Sequence, residues 1–206
     1  MKNAKRLELT LREAKANSPP VLVNDKPLEV VQKAKLLGLT IQSDLKWNTH
    51  IDNIISKCSK RLYLLVQLKR ANVPVSDIIQ FYKTCVRPVL EYASNVFNYS
   101  LPKYLSDDIE RIQKRALSTV YPRSRYEHSL VMSGLSRLQE RRNKSCEKFF
   151  NKILDNPNHK LFNLISINEK KPCYNLRNER IVDVPKFRTE RFKNSFLIAI
   201  SLKVND

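Results

Sequence analysis

The chain has 206 residues and a formal net charge of +18, from 38 Lys and Arg against 20 Asp and Glu. A hydrophobic share of 42% lets at least part of it bury a core, as one large domain or a small domain with an appendage. So large a cationic excess repels itself unless a polyanion neutralises it; nucleic acid is the expected partner, and a membrane is not, because no polybasic cluster flanks an apolar stretch of about 20 residues.

The first residues, "MKNAKRLELTLREAK", are basic without a continuous apolar run and do not read as a signal peptide. Residues 6–41 read as β. "RLELTLR" alternates Leu7, Leu9 and Leu11 with polar partners, as a half-buried strand does. "VLVNDKPLEVV" places two short runs around Asn24-Asp25-Lys26, the turn chemistry of a hairpin. "KLLGLTI" supplies a further strand. So few strands make a weak sheet by themselves.

From Asn48 the apolar period becomes helical. Ile51, Ile54, Ile55, Cys58, Leu62, Leu65 and Val66 share one stripe, with Lys57, Lys60, Arg61 and Lys69 on or beside the outer faces. Thr49 and Asp52 form a weak capping box. Pro74 and Ser76 open a second helix carried by Ile78, Ile79, Tyr82, Val86, Leu90 and Val96, with a kink or break expected at Pro88. Pro102 and Ser106 announce a third, with Ile109, Ile112, Ala116, Leu117 and Val120 inward and Pro122 at its end. Ser124 with Glu127 caps a short fourth helix that stops at Gly134, and Ser136 with Gln139 starts a fifth that runs to Asn156-Pro157.

Beyond about residue 167 the periodicity fades into a basic, irregular stretch with aromatics set singly among arginines, which reads as a loosely packed extension. Its longest apolar run, "FLIAISL", is too short to span a bilayer. Cys58, Cys85, Cys146 and Cys173 make no CxxC pair, and they read as reduced thiols of an intracellular protein, cytoplasmic or nuclear and not secreted.

No catalytic constellation is visible. His50, His128 and His159 share no metal-site or triad spacing and read as solvated or capping histidines. Asp107-Asp108 is the only adjacent acidic pair, and it falls in the first turn of a predicted helix, where it complements the macrodipole. What remains is binding. Basic residues recur on helix faces as Lys57, Lys60 and Arg61; Lys69 and Arg70; Arg111, Lys114 and Arg115; and Arg137, Arg141 and Arg142. Any one cluster is ordinarily a solvated face. Four of them with this net charge point to phosphate contacts and a steep salt dependence. Tyr174, Phe187 and Phe192, beside arginines, are candidates for stacking on unpaired bases or for ordinary packing.

Three blocks give a more specific likeness. "AKLLGLTIQSDLKWNTHIDNIISKCSKRLYLL", "FYKTCVRPVLEYASNVFN" and "DIERIQKRALSTVYP" stand in this order, followed by "YNLRNER" and "RFKNSF". Together they resemble the region after the palm of reverse transcriptases from non-LTR (LINE-like) retrotransposons, over nearly the whole chain. The resemblance implies that the Leu36–Ile41 strand, with Leu37, Gly38 and Leu39, belongs to the primer-grip edge of a palm. It implies that Trp47 packs where palm meets thumb, and that Asn48–Arg70 is a thumb helix against a template–primer duplex.

The chain departs from that family in three places. No Asp-Asp strand hairpin precedes the grip, so the two-metal centre is missing. Where the family tends to carry Lys-Thr/Cys-Lys, Asn3 and Ala4 stand before Lys5. The proline and tryptophan expected after "RFKNSF" are absent.

The expected fold is α+β. A small antiparallel palm remnant (1–47) precedes a helical thumb-like bundle (48–166) and an irregular basic tail (167–206). The expected protein is a truncated, catalytically incomplete piece of an RNA-directed DNA polymerase. It holds no Mg2+ and binds RNA, RNA–DNA or DNA duplex, with a palm-containing polymerase segment as a second partner. The alternatives are a helical module that docks on acidic proteins and a transposon-derived remnant without a selected function.

Overall fold

Among the described residues the strands pair only two at a time. The structure is a computed structural model and describes residues 5–7, 19–167 and 182–205. β1 (Lys5–Leu7) runs parallel to β4 (Glu29–Val31), while β2 (Leu22–Val23) runs antiparallel to β3 (Lys26–Pro27). Residues 8–12 of the strand expected over "RLELTLR" lie outside the described residues. Asn24 and Asp25 close the β2–β3 hairpin at φ 50° and 60°, as their turn chemistry predicts.

The stretch Leu36–Ile41, expected as one strand, is instead the tip of a second hairpin with most of its far strand. β5 (Lys33–Leu36) and β6 (Leu39–Gln42) pair antiparallel around Leu37 and Gly38, at φ 47° and 87°. Gly38 meets that conformation without steric cost, whereas Leu37 adopts it against its own Cβ and stands 82% exposed at the tip.

The helices α1 (Asn48–Arg70), α2 (Val75–Phe81), α3 (Arg87–Glu91), α4 (Ser94–Phe97), α5 (Lys103–Val120), α6 (Tyr126–Ser133) and α7 (Leu138–Leu154) follow. α1 buries Ile51, Ile54, Cys58, Leu62 and Leu65, the stripe expected, with Ile55 and Val66 half-buried at its border. These side chains join Ile78, Tyr82, Val86, Leu90, Ile109, Ile112 and Leu117 in the larger core, where α1 packs along α5.

The break expected at Pro88 takes a specific form. A π-helical turn, Tyr82–Val86, follows α2 directly, and Pro88 then sits in the first turn of α3. A missing N–H is tolerated there. Val96, expected to face inward, is 51% exposed, because Ala93 at φ 52° ends the helix before it and α4 starts on a new axis.

None of the three expected capping boxes forms. α1 begins after Trp47, α6 after Arg125 and α7 after Arg137, each without a side-chain cap bond. Gly134 does end α6, at φ 62°.

Past residue 181 the chain is more regular than the loosely packed extension expected there. β7 (Ser166–Ile167) pairs antiparallel with β8 (Val182–Asp183), and α8 (Glu190–Lys193) and α9 (Phe196–Asn205) follow. Thr189 Oγ1 caps α8 by accepting from the Phe192 amide at 3.3 Å. Ile200 and Val182 join Cys146, Phe150, Ile153 and Ile165 in a second, smaller core. The class is thus the expected α+β, a small β segment ahead of a mostly helical body. No helix among the described residues is long and apolar enough to cross a membrane.

Candidate nucleic-acid interface

α1 carries five cations, Lys57, Lys60, Arg61, Lys69 and Arg70, against a single carboxylate, Asp52. The structure separates them by role. Lys57, Lys60 and Arg70 are exposed, and Lys69 is half-buried. Lys69 and Arg70 end the helix, where positive charge complements the backbone dipole. Arg61 differs from its expected place on the solvent side. It is half-buried, and its guanidinium donates to the Cys85 carbonyl, tying α1 to the π-helical turn.

The α5 cluster is partly committed in the same way. Arg111 pairs with Asp108 at 2.8 Å, and the Lys114 ammonium lies 5.2 Å from the centre of the Tyr126 ring. Arg115 is exposed. Asp107 and Asp108 lie in the second turn of α5 rather than its first, because the helix starts at Lys103.

The fourth cluster is committed to contacts within the fold, from an exposed ion pair to a buried arginine. Arg137 pairs with Glu127 at 2.5 Å. Arg141 holds Glu91 through two bonds, at 2.5 and 3.1 Å, and the carboxylate raises its pKa. Arg142 is 1% exposed and donates to Asn98 Oδ1 at 3.1 Å and Ser106 Oγ at 2.8 Å. The local pattern offers no sign of this, since a basic pair in a charged helix reads as surface.

Trp47 sits where the second hairpin meets the helices. Its ring lies 5.9 Å from that of His50 and 5.8 Å from that of Phe97. His50 is neither the solvated nor the helix-capping histidine expected. It is 3% exposed, and its Nδ1 accepts the Thr40 amide at 3.2 Å. The neutral ring therefore carries its proton on Nε2, which has no hydrogen-bond partner.

Burial first, and the Lys57 charge second, hold the His50 pKa below its ordinary 6.5. Unfolding restores the ordinary value, so between the two the unfolded chain binds more protons. The stability contributed by a neutral His50 is complete above about pH 6.5 and is lost as pH falls through the folded value. Thermal melts taken from ~pH 7.5 down to ~pH 5 should show Tm falling with acid. The fall should be shallower in His50→Gln, which cannot take up the proton. Equal slopes in the two proteins would assign the acid sensitivity elsewhere.

Leu37, Gly38 and Leu39 do not line one face of a strand. Leu37 and Gly38 are the hairpin tip, and Leu39 packs against the larger core. The Tyr92 hydroxyl donates to the Leu37 carbonyl at 2.8 Å, and its ring lies 3.3 Å from where a Cβ on Gly38 would stand. Gly38 therefore serves both the turn and this close approach.

Lys35 on the hairpin and Tyr92 at the end of α3, which sequence reasoning did not select, stand beside α1. A two-residue turn read at Leu37-Gly38 could have found Lys35.

In the tail, Phe187 is 38% and Phe192 46% exposed, and Lys193 stands 5.9 Å from the centre of the Phe187 ring. Tyr174 and Cys173 lie outside the described residues. Cys58 and Cys146 are buried free thiols, each pushed up to about 11 chiefly by that burial, which keeps them protonated near neutrality. Comparison of the chain with protein-family models, with characterised proteins and with solved structures finds no match.

Proposed function

We propose that the chain is a nucleic-acid-binding segment derived from a LINE-like reverse transcriptase, corresponding to the palm edge, thumb and post-thumb region. The observation that carries this is α1: a 23-residue helix with a buried apolar stripe, five cations and one carboxylate, rooted beside a β-hairpin. A phosphate backbone laid along such a face gains from counterion release and needs no base-specific contact. The proposal assigns no catalytic step and no Mg2+ to these residues, and places polymerase chemistry in another segment. Association with such a segment is favoured by Leu22, Val23 and Val30, exposed apolar side chains on strands that pair only in twos among the described residues. Open strand edges invite pairing.

Lys57→Ala combined with Lys60→Ala tests the reading. Both side chains are exposed, so the fold should be retained. Fluorescence anisotropy with a labelled duplex across a salt series should show weaker binding and a salt slope reduced by about 2. Arg61→Ala serves as a separate control, because it also removes the bond to Cys85. An unchanged slope in the double variant would remove α1 as the contact surface.

A further inference from the structure

The second hairpin, α1 and α3 enclose a cleft of about 480 Å3, within the size range of small-molecule sites, about 300–1,000 Å3. Charged and apolar side chains both line it. Lys35 from β5 and Lys57 and Arg61 from α1 bring three cations to the rim, and its lining residues include no carboxylate. Buried Ile54 and half-buried Val89 give the cleft an apolar surface, with exposed Pro88 at its edge.

Tyr92 adds an aromatic wall, held in place by its bond to Leu37 and its contact with Gly38. His50 also lines the cleft, and its buried Nε2–H is a donor without a partner. An unsatisfied buried donor of this kind calls for an acceptor.

A bare phosphate would leave the apolar surface and the aromatic wall unused. An apolar ligand would make no use of the Lys35 and Lys57 ammonium groups. A flat ring bearing acceptor groups and joined to an anion satisfies all of them. Resting on the nucleic-acid reading above, we propose that the cleft receives one unstacked nucleotide of a single strand. Its phosphate lies among Lys35, Lys57 and Arg61, and its base lies against Tyr92 over the Ile54–Val89 surface, beside the His50 ring.

Three probes separate this from simple duplex binding: a blunt duplex, the same duplex with a short single-stranded overhang, and a short oligothymidylate. The overhang should tighten binding about tenfold, the scale of one base stacked on an aromatic side chain. Val89→Trp, which fills the cleft, should abolish that gain and leave blunt-duplex affinity as it was, whereas Lys35→Glu, a surface change safe for folding, should abolish the gain and weaken both duplexes by its charge. In NMR titrations the His50 ring signals should shift with oligothymidylate and with the overhang duplex, and stay in place with the blunt duplex. Equal affinity for the two duplexes, with no His50 shift from oligothymidylate, would overturn the proposal. If neither duplex binds, the thumb-surface reading fails, and the oligothymidylate shift at His50 still decides the cleft.

Discussion

Glu110→Ala should destabilise the protein by about 3 kcal/mol or more, the scale of removing one partner from a buried charged network. Glu110 comes from α5 and is 9% exposed, yet it works for α7. The Leu138 amide, at the start of α7, where Arg137 makes no side-chain cap bond, donates to Glu110 Oε2 at 3.0 Å and Oε1 at 3.3 Å. The Tyr126 hydroxyl donates to the same carboxylate. Tyr126 in turn accepts from Gln113 at 2.9 Å, and Gln113 accepts from Tyr82 at 2.7 Å. Burial raises the pKa of both tyrosines, so each stays a phenol able to donate. An alanine at 110 leaves the Leu138 N–H and the Tyr126 O–H without that acceptor in a dry site. Chemical denaturation should show a lower midpoint with an unchanged m-value. Tyr126→Phe, which spares the Leu138 bonds, should cost about 1 kcal/mol. A loss in Glu110→Ala no larger than that would mean that water replaces the carboxylate freely.

Leu65→Asp should abolish the cooperative unfolding transition altogether. Leu65 is wholly buried in the larger core, and burying an unpaired carboxylate costs several kcal/mol. That penalty and the lost packing together rival the whole stability of an ordinary domain, ~5–15 kcal/mol. Leu65→Ala should keep the fold and lose about 2–5 kcal/mol. The neighbouring Leu64 is 51% exposed, and Leu64→Asp should melt nearly as the parent does. Circular dichroism melts of the three variants fix the rotational phase of α1. Unfolding by Leu64→Asp with tolerance of Leu65→Asp would mean that the helix faces the other way.

The features legible in the sequence are those that a short window contains. The Asn24-Asp25 turn, the buried stripe of α1 and the stop at Gly134 each follow from residues within a turn or two. What escaped depends on partners far along the chain. Ser136 with Gln139 has the form of a capping box, yet the start of α7 is satisfied by Glu110 from another helix. Arg142 and Arg61 look like surface cations, and only the fold supplies the carbonyl, amide and hydroxyl oxygens that draw them inward. "FLIAISL" lacks a polar face, so no helical period shows. Packing of α9 against α7 makes it a helix. The Lys35–Tyr92 cleft was hidden because a turn with leucine at its first position does not announce itself.

The π-helical turn has a consequence for how this chain tolerates change in length. Ile78, Tyr82, Val86 and Leu90 are all essentially fully buried, and they recur at every fourth residue. A regular α-helix drifts by about 40° over each such step, which would carry Leu90 well away from the direction of Ile78. The wider turn at Tyr82–Val86 absorbs the drift as a leap day absorbs the remainder of a year: one unit is inserted so that two unequal periods stay aligned. Thr84 lies at the surface within that turn and is the extra unit that the widening accommodates. Losing that one codon would leave a regular helix with Ile78, Tyr82, Val86 and Leu90 four, three and four residues apart, a net drift of only about 20°, so the same side chains would still meet the core. The turn marks where this chain can shed one residue without turning its buried stripe.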